Sequence, residues 1–372
     1  MRSEVFSNIN KIIERDSKVS TYKFALLRGT IDVILENSPF IVQKESRIYI
    51  PLGLLIEKWL LFYYPILASK SFIPQIHGET KLAFETLFKE IIADYNDKGG
   101  FSVFYNDLRK NGIPRDQHEN FLKLLKKLKD TITSNPMKYI GRSINPDYYS
   151  IFQYHPGLRI QNPIKIDLSY LISNFGEFSI PIEYHDAFQI LGSFLSGQDS
   201  ILFKWAEFSV NASKNILPFE KVLHDVLISP ITERDIRESK KIYQSILNKD
   251  GKVQCVWTGH SIDSYDIDHL IPFSVWKNND LWNLLPSSQK INNSKRDKIP
   301  STQLIEGRRD LILHYWEMIQ KSLPERFEKE MRITLLGNST FENWQKPAID
   351  KLKETCQYLI STRGFEEWNP KN

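Results

Sequence analysis

Cysteine is nearly missing from this chain, with only Cys255 and Cys356 in 372 residues. A disulfide framework and a four-sulfur zinc site both need more thiols than that. Both are excluded, and a reducing, cytoplasmic setting is expected. A long uncharged apolar run is missing as well. The most lipophilic stretch, YIPLGLLIEKWLLFYYPILA at 49–68, is broken by Pro51, Glu57, Lys58 and Pro65. A membrane span needs about 20 almost uncharged residues, so a buried helix is expected there, with no membrane partner. The opening MRSEVFSNINKIIERDSK lacks an apolar segment followed by a small-residue cleavage site, so no signal peptide is expected. Nor does one charge dominate: 49 Lys and Arg stand against 45 Asp and Glu, a net +4 that permits nucleic-acid binding without arguing for it. No internal repeat and no low-complexity tract is visible.

What is present is ordinary for a globular protein of two or three domains. Apolar residues make up 41%, charged residues 25% and aromatic residues 12%, enough for a well-packed interior. Helical periodicity runs through 20–36 (Tyr22, Leu26, Leu27, Ile31, Ile34), 80–97 (Phe84, Leu87, Ile91, Tyr95) and 115–132 (Phe121, Leu124, Leu125, Leu128). The last of these sets Lys123, Lys126, Lys127 and Lys129 largely off the apolar stripe. Such a face can track phosphates, though a solvated face over a core stripe is the simpler reading. Between 136 and 216 the stretch PDYYSIFQYHPGLRIQNPIKIDLS reads as short strands and turns, followed by more helix. Helix returns from 217 and is closed by Asn248, Asp250 and Gly251, and the C-terminal stretches RRDLILHYWEMIQKSL and WQKPAIDKLKETCQYLIST are helical again. The expected architecture is mainly α with α+β parts. Its expected divisions are a helical N-terminal domain at 1–135, a mixed segment at 136–216, a catalytic domain at 217–330 and a helical extension at 331–372.

One window collects chemistry: YDIDHLIPFSVWKNNDLWNLLPSSQKINNSKRDKIPS, from Tyr265 to Ser301. VQCVWT (253–258) and YDIDHLI (265–271) read as strands, Asn278–Asp280 as a turn and LWNLLP as a further short strand. Ser287 or Ser288 then caps a helix that Pro300 limits. On that helix Asn292, Lys295 and Arg296 stand at i, i+3 and i+4, sharing a face that would lie against the strands. A hard carboxylate, Asp268, and an amide oxygen, Asn292, can hold Mg²⁺ against a scissile phosphate. His269 can take a proton from water. Strand alternation puts Asp268 and His269 on opposite faces, so joint action predicts a bend at the pair.

The window resembles the HNH (ββα-metal) endonuclease family. DHLIP supplies the Asp-His pair and the following Pro272, NLL supplies Asn283, Asn292 lies nine residues on, and Lys295 three beyond it. The spacing is most similar to the HNH domains of CRISPR effector nucleases. The resemblance implies a ββα-metal domain in which His269 is the general base, Asp268 and Asn292 are metal ligands and Asn283 pins the loop. Lys295 would lie near phosphate, with Arg296 and Lys298 as further nucleic-acid contacts, although cations gather at helix ends in any case. Many members add a zinc knuckle of two CxxC pairs. Here the four positions hold Cys255, Thr258, Ser288 and Ile291, so no structural zinc is expected and Val256, Trp257, Trp276, Leu281 and Trp282 must hold the hairpin by packing. An oxygen-rich site favours Mg²⁺ or Mn²⁺.

The expected activity is metal-dependent hydrolysis of DNA, with duplex DNA as partner, in bacterial or phage DNA processing or genome defence. A homodimer or a defence-system protein is the further partner expected. An RNA-cleaving toxin and a catalytically inactive DNA-binding component are the alternatives.

Overall fold

The computed structural model describes residues 2–78, 81–142, 150–157, 163–196, 201–227 and 234–370. The chain is mainly helical with small sheets and divides into two compact units, 1–230 and 231–372.

In the first unit α1 (Arg2–Arg15) and α2 (Tyr22–Leu35) lead to a strand pair, β1 (Val42–Lys44) and β2 (Arg47–Pro51), which runs directly into α3 (Leu52–Ala68). This helix is the apolar run noted above, and every residue from Leu52 to Ile66 is buried. Its two charges survive burial by pairing: Glu57 accepts from Arg109 at 2.5 and 3.1 Å, and Lys58 donates to Glu36 at 2.5 Å. Pro65 falls in the last turn of α3, where it withholds the backbone donor that the Leu61 carbonyl would otherwise meet. No helix among the described residues is long and apolar enough to cross a membrane.

Around α3 stand α4 (Glu85–Asn96), α5 (Gly100–Asn106), α6 (His118–Ser134) and, after α7 (Pro136–Tyr139), which packs on α2 and α6, and β3 (Gln153–His155), α8 (Leu168–Asn174). A Cβ on Gly53 would lie 2.1 Å from the Leu171 carbonyl, so glycine is what lets α3 and α8 approach. Next, β4 (Glu177–Pro181) joins the antiparallel sheet β1-β2-β4-β3, with Ile48 opposite Ile180 and Tyr154 opposite Phe178. The unit closes with α9 (Ile182–Ser196), α10 (Ile201–Ala212) and α11 (Phe219–Leu227).

The three periodic stretches become α2, α4 and α6. α4 begins only at Glu85, whose side chain accepts from the Leu82 backbone N–H (3.2 Å) in the turn before it. On α6, Phe121, Leu124, Leu125 and Leu128 are buried while Lys123, Lys126 and Lys127 are exposed, a solvated face over a core stripe. Of the strands expected across 146–169, β3 forms at 153–155; the expectations for 146–149 and 158–162 lie outside the described residues.

The second unit opens with α12 (Arg237–Asp250), ended by Gly251 at φ +69°. β5 (Val253–Gln254) pairs with β6 (Ser261–Ile262), and β7 (Asp266–His269) pairs with β8 (Leu284–Ser287) across α13 (Phe273–Trp276) and a 3-10 turn at 281–283. Then come α14 (Gln289–Lys295), β9 (Ile299–Pro300), α15 (Thr302–Gly307), α16 (Arg309–Ser322), α17 (Pro324–Met331), α18 (Gln345–Ser361) and β10 (Glu367–Trp368), which pairs with β9 in parallel. The core is tryptophan-rich. Trp257, Trp282 and Trp316 are fully buried, and the Trp316 indole donates to the Trp282 carbonyl at 2.7 Å. Trp276 and Trp282 pack edge to face at 5.8 Å, and Val256 and Leu281 belong to the same core. Packing thus holds the hairpin, as expected.

Two local expectations fail. The strand expected at 253–258 stops at Gln254, because Cys255–Gly259 is a tight turn closed by Gly259 N–H on the Cys255 carbonyl (2.8 Å) with Gly259 at φ +74°. Arg296 does not share the helix face of Asn292 and Lys295. It sits beyond the helix at φ +53°, ending α14 well before Pro300.

Candidate active site

The β7–β8 ladder runs unbroken through Asp266↔Ser287, Ile267↔Pro286, Asp268↔Leu285 and His269↔Leu284. The bend expected at the Asp-His pair is therefore absent, and the two side chains take opposite faces of a regular strand. The chain leaves the ladder only after His269, where the Leu270 N–H still reaches the Asn283 carbonyl at 2.7 Å.

On one face, Asp268 is buried. Its Oδ1 accepts from Lys295 Nζ at 3.0 Å and its Oδ2 from the Trp257 indole N–H at 2.5 Å. Lys295 Nζ also donates to the His269 carbonyl and lies 5.4 Å over the Trp257 ring. Burial lowers the Lys295 pKa, against the pull of Asp268. Lys295 is thus fully buried and hydrogen-bonded to two internal partners, not a surface cation awaiting phosphate. Asp266 shares the Asp268 face and accepts from Asn292 Nδ2 at 3.4 Å. The structure therefore places Asn292 against Asp266, two residues before the carboxylate expected as its partner. Asn293 is exposed.

On the other face, His269 is also buried, its Nε2 3.1 Å from Asn279 Oδ1 and its ring 5.5 Å from Phe273. Burial lowers its pKa to about 4, opposed by the Asn279 hydrogen bond and the Asp268 charge and assisted by Arg234 and Lys295. The imidazole is neutral at physiological pH. With the Nε2 hydrogen directed at Asn279 Oδ1, the lone pair belongs to Nδ1.

Asn283 is completely buried. It closes the loop between β7 and β8 by accepting from the Ile271 N–H (2.8 Å) and donating to the Ile271 and Asn278 carbonyls (3.1 and 3.3 Å). Lys298 is drawn away from the centre by Glu366, at 2.5 Å, and Arg296 is exposed beyond α14. Of the seven residues singled out from sequence, then, the fold gathers Asp268, His269, Asn283, Asn292 and Lys295, and leaves Arg296 and Lys298 outside.

Four participants were not foreseen. Asp266 carried a usable signal, since residues two apart on a strand share a face. Trp257 and Asn279 carried none, because their contacts arise from tertiary packing and from a turn held by Asn278 Oδ1 on the Asp280 N–H (2.7 Å). Arg234 precedes the window by thirty-odd residues. It is exposed and acts electrostatically on both His269 and Lys295.

At the positions of the absent zinc knuckle, the Cys255 sulfur lies 3.6 Å from Ser287 Oγ. Burial pushes its thiol up, but hydrogen bonds with Thr258, Ser287 and Ser288 outweigh this and hold its pKa below the ordinary value. A single sulfur among hydroxyls does not make a structural zinc site. For a hard cation the chemistry is different. Asp268, Asp266 and the Asn292 amide offer oxygen only, and no cluster of three or more His, Cys, Asp or Glu converges among the described residues. Carboxylate and amide oxygens are the donors that a hard ion such as Mg²⁺ takes, but both Asp268 oxygens are held here by Lys295 and Trp257, so an ion would have to displace those contacts.

Comparison with known proteins gives two matches. Residues 2–226, more than half of the chain, match a family described as a domain of unknown function (DUF8808). The chain belongs to the DUF8808 family. Its C-terminal unit carries an HNH endonuclease domain, matched over residues 255–301, the stretch from Cys255 through the hairpin and α14 to Ser301. The DUF8808 match lies wholly within the first unit and the HNH match within the second. No curated protein and no solved structure matches the chain.

Proposed function

We propose that this DUF8808 protein is a divalent-metal-dependent endonuclease that hydrolyses phosphodiester bonds of duplex DNA. The observation that carries the reading is the HNH endonuclease match over 255–301, within which His269 stands as a neutral imidazole held by Asn279 and Asp268, Asp266 and Asn292 supply oxygen donors. His269 Nδ1 takes the proton of the attacking water, and the Asn279 contact keeps the ring in the tautomer able to do so. Asp268 and Asn292 would hold Mg²⁺ or Mn²⁺, with Asp266 orienting Asn292. When bound, such an ion polarises the scissile phosphate and stabilises the leaving 3′-oxygen. Asn283 positions the loop that carries Asn279. The exposed Arg234 guanidinium adds positive field where an incoming phosphate approaches.

The setting proposed is bacterial or phage DNA processing or genome defence. Its support is the spacing of DHLIP, NLL and NNSK, which is similar to that in CRISPR effector HNH domains, and the warrant is one of analogy. The test offers duplex DNA and folded RNA to the purified full chain with Mg²⁺. Cleavage of DNA supports the reading. Cleavage of RNA alone overturns it in favour of an RNA-cleaving toxin, and binding without cleavage in favour of an inactive DNA-binding component.

A further inference from the structure

The first unit contains a cavity of about 480 Å³ beside the C-terminal end of α3, where α4, α5 and α11 meet it. The space is open to solvent, and its volume lies in the range of small-molecule sites, large enough for one nucleotide-sized ligand. One wall is aromatic: Tyr64 and Phe101 stack with ring centroids 5.0 Å apart and 18° between planes, and both line the space. The Tyr64 hydroxyl at this wall is buried without a hydrogen-bond partner. Facing it are Lys70, Lys221 and the polar side chains of Ser71 and Asn96.

The charge of this space is one-sided. Lys70 and Lys221 are its cationic lining residues, and among the described residues no acidic side chain lines it. Lys221 Nζ is fixed on the neutral Ser71 hydroxyl, whose own backbone N–H is held by Ser69 Oγ at 3.3 Å, so the ammonium is positioned but not neutralised. The C-terminal ends of α3 and α4 oppose this with roughly half a negative charge each, about one in total against two full positive charges. The balance favours an anion. A flat aromatic wall beside two uncompensated ammonium groups, with a hydroxyl and an amide to read polar edges, selects a ligand that is a phosphate at one end and a heterocycle at the other.

We propose that this open pocket of the DUF8808 region binds a nucleotide as a small-molecule ligand, with Lys70 and Lys221 on the phosphate and Phe101, backed by the buried Tyr64, beneath the base. The site is distinct from the nuclease centre, and the proposal does not depend on the nuclease reading.

Titration calorimetry on the full chain tests it, with AMP, ADP, ATP and inorganic phosphate as probes. All runs use the His269→Ala background, so that nuclease chemistry contributes nothing. The expected result is saturable binding of at least one nucleotide, at least tenfold tighter than inorganic phosphate. That affinity falls tenfold or more in Lys70→Glu and in Lys221→Glu, and weakens with salt. Both lysines are exposed, so circular dichroism should show both variants folded. If either fails to fold, Lys70→Ala or Lys221→Ala replaces it. The proposal is overturned if no nucleotide saturates the folded protein at millimolar concentration, if binding ignores both lysine changes, or if inorganic phosphate binds as tightly as any nucleotide.

Discussion

His269 and Asp268 are chain neighbours on opposite faces of one strand, and each owes its state to a different neighbour. His269→Ala should abolish cleavage while leaving DNA affinity nearly unchanged, and it should lower the melting temperature, because it removes a proton acceptor that is also a buried ring packed on Phe273 and bonded to Asn279. More than a few per cent residual activity removes His269 from the mechanism. Asn279 acts through His269, so Asn279→Ala should lower kcat with little change in KM, an effect that kinetics separates from lost binding. Asp268→Ala and Asn292→Ala should each raise the Mg²⁺ concentration needed for half-maximal activity, whereas the exposed Asn293→Ala should not. A larger effect at Asn293 would displace the ligand assignment by one residue. Asn283→Ala strips partners from the Ile271 and Asn278 backbone in a buried loop. It should cost about 3 kcal/mol of stability, read by chemical denaturation.

Among the elements, α17 carries a titrating contact to the loop of the active site. Glu330 Oε2 accepts the Leu281 N–H at 2.6 Å and Oε1 accepts from Arg326 at 2.7 Å. Burial and the nearby Asp280 push its carboxyl up to about 7, against Arg326. The folded protein then keeps a proton that an unfolded glutamate releases near 4.5. The Glu330 contribution is therefore full below about pH 4.5 and is lost as pH rises towards 7. Comparing unfolding of the wild type with Glu330→Gln across that window should show a falling slope only in the wild type, and parallel profiles would refute the coupling. Elements of this kind were unevenly legible in the sequence. α3 and the β7–β8 hairpin follow from apolar runs and alternation, which any packed context must satisfy. The turn at Cys255–Gly259 and the break after Lys295 do not. They depend on the Val256 N–H finding the Pro286 carbonyl (2.9 Å) and on Arg296 adopting a left-handed backbone, neither of which residue type announces. At the site, motif spacing marked Asp268, His269, Asn283 and Asn292, and the i, i+3 step set Lys295 on the face turned to the strands, but it could not show that the Asp268 carboxylate and the His269 carbonyl would hold the ammonium there.

At the scale of the whole molecule, one ββα centre acts on one scissile phosphate. The full chain should therefore nick supercoiled plasmid to open circles first, leaving 5′-phosphate and 3′-hydroxyl ends. Linear product should appear later or at higher concentration, where two copies act in opposite orientation. Linear DNA forming first from dilute, demonstrably monomeric protein would contradict this. Finally, Asp268 meets its counter-charge within its own chain, in Lys295. The nuclease unit can thus complete its fold during synthesis, whatever the divalent-ion supply of the cell. On the proposed metal-dependent reading, scarcity of the ion would silence the enzyme without unfolding it, and activity would return on resupply. Chelation should accordingly leave the melting temperature unchanged while stopping cleavage, and a pool of intact, dormant molecules is what a starved cell would hold in reserve.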